Sequence, residues 1–186
     1  LVASFVAQGG RLFVSGAELA WDLDFLGSAS DRAFCNYTLG VSYVNDDAGV
    51  YTTLSQTTGP LSPLPSLQFD NGNAGIYDVD YPDVISPFTA GGQTVLRYAN
   101  GMSAGVLSPN GRVLSLGFPI DAIVNPTLRA TLMAQILELL SPLRVQPPDA
   151  LPVGQTTAIP INFPASPNAL CLTLPALTTS PMTPTG

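Results

Sequence analysis

Apolar residues along most of this chain come in short runs, broken by glycine, proline, asparagine and aspartate. Such runs are too short for helices and predict strands. Leu12-Phe-Val14 follows the Gly9-Gly10 turn and has the unbroken apolar character of a central strand in a parallel sheet. Residues 40–44, GVSYV, alternate and predict a second strand. Residues 50–54 are rich in β-formers, 67–69 is a short extended piece, 84–88 leads to the Gly91-Gly92 turn, and 94–98, 103–107 and 112–117 predict strands. Asn100-Gly101 predicts a hairpin between two of these, and Pro109-Asn110-Gly111 a second turn. Asn45-Asp46-Asp47 is a turn, and the prolines of 58–65 mark a loop.

Helical spacing is sustained in one long window. Asn125 is an N-cap with Pro126 at the first helical position. Leu128, Leu132, Ile136 and Leu140 then recur every fourth residue, with Met133 and Leu139 widening the stripe, until Ser141-Pro142 stops it. Residues 1–8 have the pattern of the last turns of a helix. Residues 19–25 read as a helix start or a compact loop around Trp21, and Ser30 or Asp31 as the cap of a short helix through Phe34. From Gln146 onward Pro147-Pro148 signals a linker. Strand-like pieces at 156–163 and 169–174 and a Pro/Thr tail make 146–186 a small β appendage or the start of a β module, distinct from a domain at 1–145.

Composition narrows the function. The net charge of −7 argues against nucleic acid and anionic membranes, and no apolar run reaches the ~20 residues of a membrane helix. Charged residues are only 10%, all six cations are arginine, and histidine is absent. Serine–histidine and cysteine–histidine catalysis and histidine-ligated zinc are thereby excluded within the chain. Low charge with abundant Thr, Ser, Asn and Pro points to a secreted or assembly-forming protein. Cys35 and Cys171 are read either as a disulfide or as two buried thiols.

Two segments, FVAQGGRLFVSGAELAWDL (5–23) and GRVLSLGFPIDAIVNPTLRATLMAQILELL (111–140), resemble class I glutamine-amidotransferase-like domains. The versions they resemble most occur in large secreted bacterial proteins, some described as peptidoglycan amidases or polysaccharide lyases. The resemblance implies an α/β fold: part of a three-layer flavodoxin-like sandwich, with added β-hairpins. It also implies earlier βα units, so that Leu1 would begin in mid-domain and the chain would be a fragment. The family's enzymes carry cysteine in a Gly-x-Cys-x-Gly elbow. Gly16-Ala-Glu-Leu-Ala20 puts Glu18 at the nucleophile position and Ala20 at the second glycine, so the family's cysteine chemistry is not carried over.

The candidate residues follow from this frame. Glu18 sits at a strand end, where α/β sheets bind ligands. It is expected to be structural, partly buried and bound to backbone donors or an arginine, at a cost of about 1–3 kcal/mol for Glu18→Ala. The alternative gives it a catalytic role with a second carboxylate. Asp70, Asn71, Asn73, Asp78, Asp80 and Asp83 are hard oxygen donors within one short segment. They are read either as a Ca2+ site without the EF-hand spacing or as a loop whose side chains bond its own backbone. Trp21, Tyr77 and Tyr81 are candidates for a carbohydrate groove, against a reading as packed core. Arg97 and Arg129 are available to pair with acids. The function expected is a non-catalytic binding, scaffolding or assembly module whose partners are other segments of the same parent protein or copies of itself. The alternatives are a carboxylate-dependent hydrolase of cell-wall or polysaccharide substrate, and a subunit of an extracellular fibre or shell.

Overall fold

The computed structural model describes residues 1–141, 144–145 and 161–162. The chain divides into two units, Leu1–Leu140 and Ser141–Gly186. In the second unit β9 (Arg144–Val145) pairs antiparallel with β10 (Ile161–Asn162). Other features expected of the appendage, and Cys171, lie outside the described residues.

The first unit is mixed α/β. It begins with α1 (Val2–Ala7) and β1 (Leu12–Ser15). A wide, π-type helical turn at Trp21–Phe25 leads to α2 (Ala29–Ala33) and a second such turn at Phe34–Leu39. The strands are β2 (Val41–Asn45), β3 (Thr52–Ser55), β4 (Leu67–Gln68), β5 (Val84–Pro87), β6 (Gln93–Tyr98), β7 (Ser103–Leu107) and β8 (Val113–Leu116). The closing helix is α3 (Pro126–Leu139). The cap of α2 is Ser28, in a reciprocal capping box with Asp31, and not the Ser30 or Asp31 expected. On α3 the expected cap holds, with Asn125 Oδ1 accepting from the Thr127 and Leu128 amides.

Six strands form one sheet in the order β1-β8-β7-β6-β3-β4, while β2 and β5 pair separately. Only β1 and β8 run parallel in the large sheet; its other neighbours are antiparallel. β1 is therefore a terminal strand of a mostly antiparallel sheet, not the central strand of a parallel one. The reason lies in the connections. The turns at Asn100-Gly101 and Pro109-Asn110-Gly111 are too short for anything but hairpins, whereas β1 and β8, far apart in sequence, are free to align in parallel.

Each face of the sheet has its own core. Phe13, Leu114 and Leu116 point toward a cluster built on Phe69, Tyr98, Phe118, Leu132 and Ile136, which α3 closes. Leu12, Val14 and Val113 point the other way, onto Ala20, Cys35, Leu39, Val41 and Ile85. This two-sided burial explains why Leu12-Phe-Val14 is apolar without alternation. On α3, Leu132 and Ile136 are fully buried and Leu128, Met133, Leu139 and Leu140 pack at the margin. No helix among the described residues is long and apolar enough to cross a membrane.

Candidate functional site

The parallel strands β1 and β8 end side by side, with Ser15 opposite Leu116. After Ser15 the chain bends through Gly16 and Ala17, and at Glu18 it turns sharply into a helical conformation. Glu18 has φ +58°, a left-handed backbone rarely adopted by a side-chain-bearing residue. Its carbonyl accepts from the Asp22 amide at 2.9 Å, which starts the helical turn. The result is a strand–elbow–helix corner with a carboxylate at its apex. That carboxylate is exposed and makes no hydrogen bond among the described residues.

The expectation that Glu18 would be buried against backbone donors is thus corrected. Asp83 does that work. It is fully buried, and its Oδ2 accepts from the Ala20 amide at 2.7 Å, directly behind the elbow. The Asp83 backbone carbonyl accepts from the Tyr98 hydroxyl at 2.8 Å, and the same hydroxyl reaches the Gly117 carbonyl at 3.2 Å. The elbow, β6, the end of β8 and the entry to β5 are therefore tied through one carboxylate and one phenol. Asp83 Oδ1 is buried without a hydrogen-bond partner, as is Oδ1 of Asp46. The Asp46 turn is held against the same corner by the Ala48 amide, which donates to the Pro82 carbonyl at 3.0 Å. Burial pushes the Asp83 carboxyl up to about 7; the amides of Ala20 and Trp21 oppose this, and the charges of Asp46 and Glu18 add to it. Burial, with the charges of Asp24 and Asp83, likewise pushes the Cys35 thiol up to about 12. Among the described residues Cys35 is a buried cysteine without a disulfide, its thiol donating to the Val41 carbonyl, and the raised value disfavours the thiolate.

The six proposed calcium donors are placed differently from a metal cage. Asp70 is buried and organises its own loop: Oδ1 accepts from Ala74 at 2.8 Å, and Oδ2 from Ile76 at 2.7 Å and Tyr77 at 3.1 Å. These bonds, the Ala74 amide first, hold its carboxyl below the ordinary value against the opposing effect of desolvation. Asn73 bonds Asn71, Asp78 lies against Gly72, Asp80 is exposed, and Asp83 belongs to the elbow. Among the described residues no group of three or more His, Cys, Asp or Glu side chains is placed to hold a metal ion. Of the six side chains, Asp70 alone bonds the amides of its own loop.

The aromatic candidates separate as well. Tyr77 and Tyr81 are exposed on the 70–83 loop, Tyr81 at φ +51°. Trp21 instead stacks on Phe25, with ring centroids 4.4 Å apart at 19°, and both rings meet Tyr43 at 5.5 and 5.4 Å. Phe25 and Tyr43 were not legible as site residues because the ring cluster joins a helical turn to β2. The spacing of Trp21 and Phe25 along that turn was the available signal. Asp24 braces the cluster by accepting from the Asn36 side chain at 3.0 Å and the Tyr43 amide at 2.8 Å. Arg97 and Arg129 donate to the carbonyls of Gly101 and Asp121 rather than to carboxylates.

The exposed, strained position of Glu18 changes what its removal should do. Glu18→Ala should leave stability within about 0.5 kcal/mol, as at other exposed sites. Glu18→Gly should hold or raise it by up to about 1 kcal/mol, because glycine relieves the left-handed strain at some cost in chain entropy. Thermal melts of the two variants check this. A large loss in Glu18→Ala would restore the structural role.

No protein-family model matches the chain, and no curated protein matches it.

Proposed function

We propose that the chain is a non-catalytic binding module within a secreted bacterial protein, an amidotransferase-like domain in which the elbow presents Glu18 for recognition. The observation that carries this reading is the exposed Glu18 carboxylate at φ +58°, without a partner among the described residues, on a corner held from behind by buried Asp83. Left-handed strain at a non-glycine residue concentrates at functional sites. An acceptor-only carboxylate recognises hydrogen-bond donors and cations. In this reading the β1–β8 pair and its elbow correspond to part of a flavodoxin-like sheet, and the antiparallel hairpins are additions to it. Partners are other segments of the parent protein or further copies of the chain, which also accommodates assembly into a fibre or shell.

The second reading is hydrolysis of a cell-wall or polysaccharide substrate by a carboxylate pair. It is favoured by Asp83, whose carboxyl titrates near 7 within electrostatic reach of Glu18. Against it, Asp83 is shut off from solvent behind the elbow, and no histidine is available as a base. Incubation with soluble peptidoglycan fragments and polysaccharides separates the two. Binding is expected to release no new reducing ends or amines, in the parent and in Glu18→Gln alike. Product release by the parent that disappears in Glu18→Gln would establish the hydrolase instead.

A further inference from the structure

The helical turn after the elbow has two faces. Ala20 is buried, and Leu19 and Leu23 pack against the same core. Glu18, Asp22 and Phe25 are exposed within the same short segment. Trp21 lies under Phe25, and Tyr43 closes the ring cluster from β2. Phe25 and Leu26 remain 55% and 60% exposed, a large apolar surface for so short a segment. Neither Glu18 nor Asp22 has a side-chain hydrogen bond among the described residues. The surface thus combines aromatic faces, two free carboxylates and a platform already fixed by Asp24.

We propose that this face docks an arginine side chain of a partner polypeptide, its guanidinium lying on the Phe25–Trp21 stack and forking to Glu18 or Asp22. A guanidinium is planar, weakly hydrated and always charged, so it stacks on rings and bonds carboxylates bidentately at once. Charge complementarity decides the occupant. The chain carries −7, and Glu18, Asp22 and Asp24 outnumber the one cation beside this segment, Arg32, which donates to the Gly27 carbonyl, so a cation gains attraction that a neutral sugar does not. A phosphate-bearing ligand is repelled for the same reason. The inference rests on the reading of Glu18 as a recognition group and names its partner chemistry.

Trp21 is the only tryptophan in the chain, so its fluorescence reports this face directly. The probe is a capped Gly-Arg-Gly-Arg-Gly peptide, with a citrulline version as the neutral isostere and a neutral chito-oligosaccharide as the alternative ligand. The arginine peptide should give a saturable change that raised salt weakens, while the citrulline peptide and the sugar give none. Phe25→Ala should weaken binding roughly fivefold by loss of the ring face, Phe25→Leu should do so nearly as much, and Glu18→Gln should weaken it by a similar factor. No response to the arginine peptide, an equal response to the citrulline peptide, or a response to the sugar alone would overturn the proposal. Binding lost in Glu18→Gln but unchanged in Phe25→Ala would remove the ring platform and leave the Glu18 reading standing. The reverse result would remove the Glu18 reading.

Discussion

Gly117→Ala should destabilise the first unit by about 3 kcal/mol, the upper part of the range for overpacking. A Cβ at Gly117 would lie 2.1 Å from the Asp83 carbonyl oxygen and 3.2 Å from the Tyr98 hydroxyl. The first contact is with backbone and cannot be relieved by a rotamer change. Relief requires the end of β8 and the entry to β5 to separate, which loosens the Tyr98 hydroxyl from both carbonyls and the Asp83 grip on the elbow. Gly111→Ala isolates the steric effect. Gly111 has φ +66° but nothing within 4 Å of an added Cβ, so only backbone strain of about 1 kcal/mol applies. Denaturant melts of the two variants give the comparison; a Gly117→Ala midpoint at or above that of Gly111→Ala would refute the close-approach argument.

Asp83 should make stability fall as pH rises from about 4 to about 7. Its ordinary value is 3.8 and its folded value about 7. Between those values the native state holds a proton that the unfolded state has released, so raising pH favours unfolding until both forms are ionised. Three pKa units correspond to an upper limit of about 4 kcal/mol. Asp70 and Asp31, both lowered by hydrogen bonds, act in the opposite sense: their contribution is present above 3.8 and is lost as pH falls below it. Asp83→Asn keeps an acceptor for the Ala20 amide and carries no charge. It should flatten the slope between pH 4 and 7 and match or exceed the parent at pH 8. Asp83→Ala leaves that buried amide unpaired and should cost about 1–3 kcal/mol near pH 4, a deficit that shrinks toward pH 7 because this variant too lacks the titrating group. Melting temperature against pH for the three proteins is the measurement, and an Asn variant that keeps the parent's slope would show that Asp83 is not the titrating group.

Where a signal was local, it was legible. The Asn125-Pro126 cap, the four-residue spacing of α3 and the Asn100-Gly101 hairpin each depend on residues a few positions apart. The cap of α2 was displaced to Ser28 because several neighbouring polar residues can serve, and local sequence does not choose among them. The 70–83 segment was read as two alternatives. Neither reading contained the fact that Asp70 is buried under its own loop with three amides on its two oxygens.

The site itself was half legible. The bend after β1, its carboxylate and the absence of histidine are properties of the chain read in order. Which carboxylate is buried is not, because burial belongs to contacts between distant segments. Asp83 supports an amide 63 residues away, and nothing in the sequence near either residue records that meeting. The same reason governs the sheet. Alternation and turn residues determined where strands begin and end, and short turns made β6, β7 and β8 antiparallel neighbours. That β1 lies parallel to β8, bringing the elbow to Gly117 and Tyr98, was decided only when the two cores closed on opposite faces of the sheet.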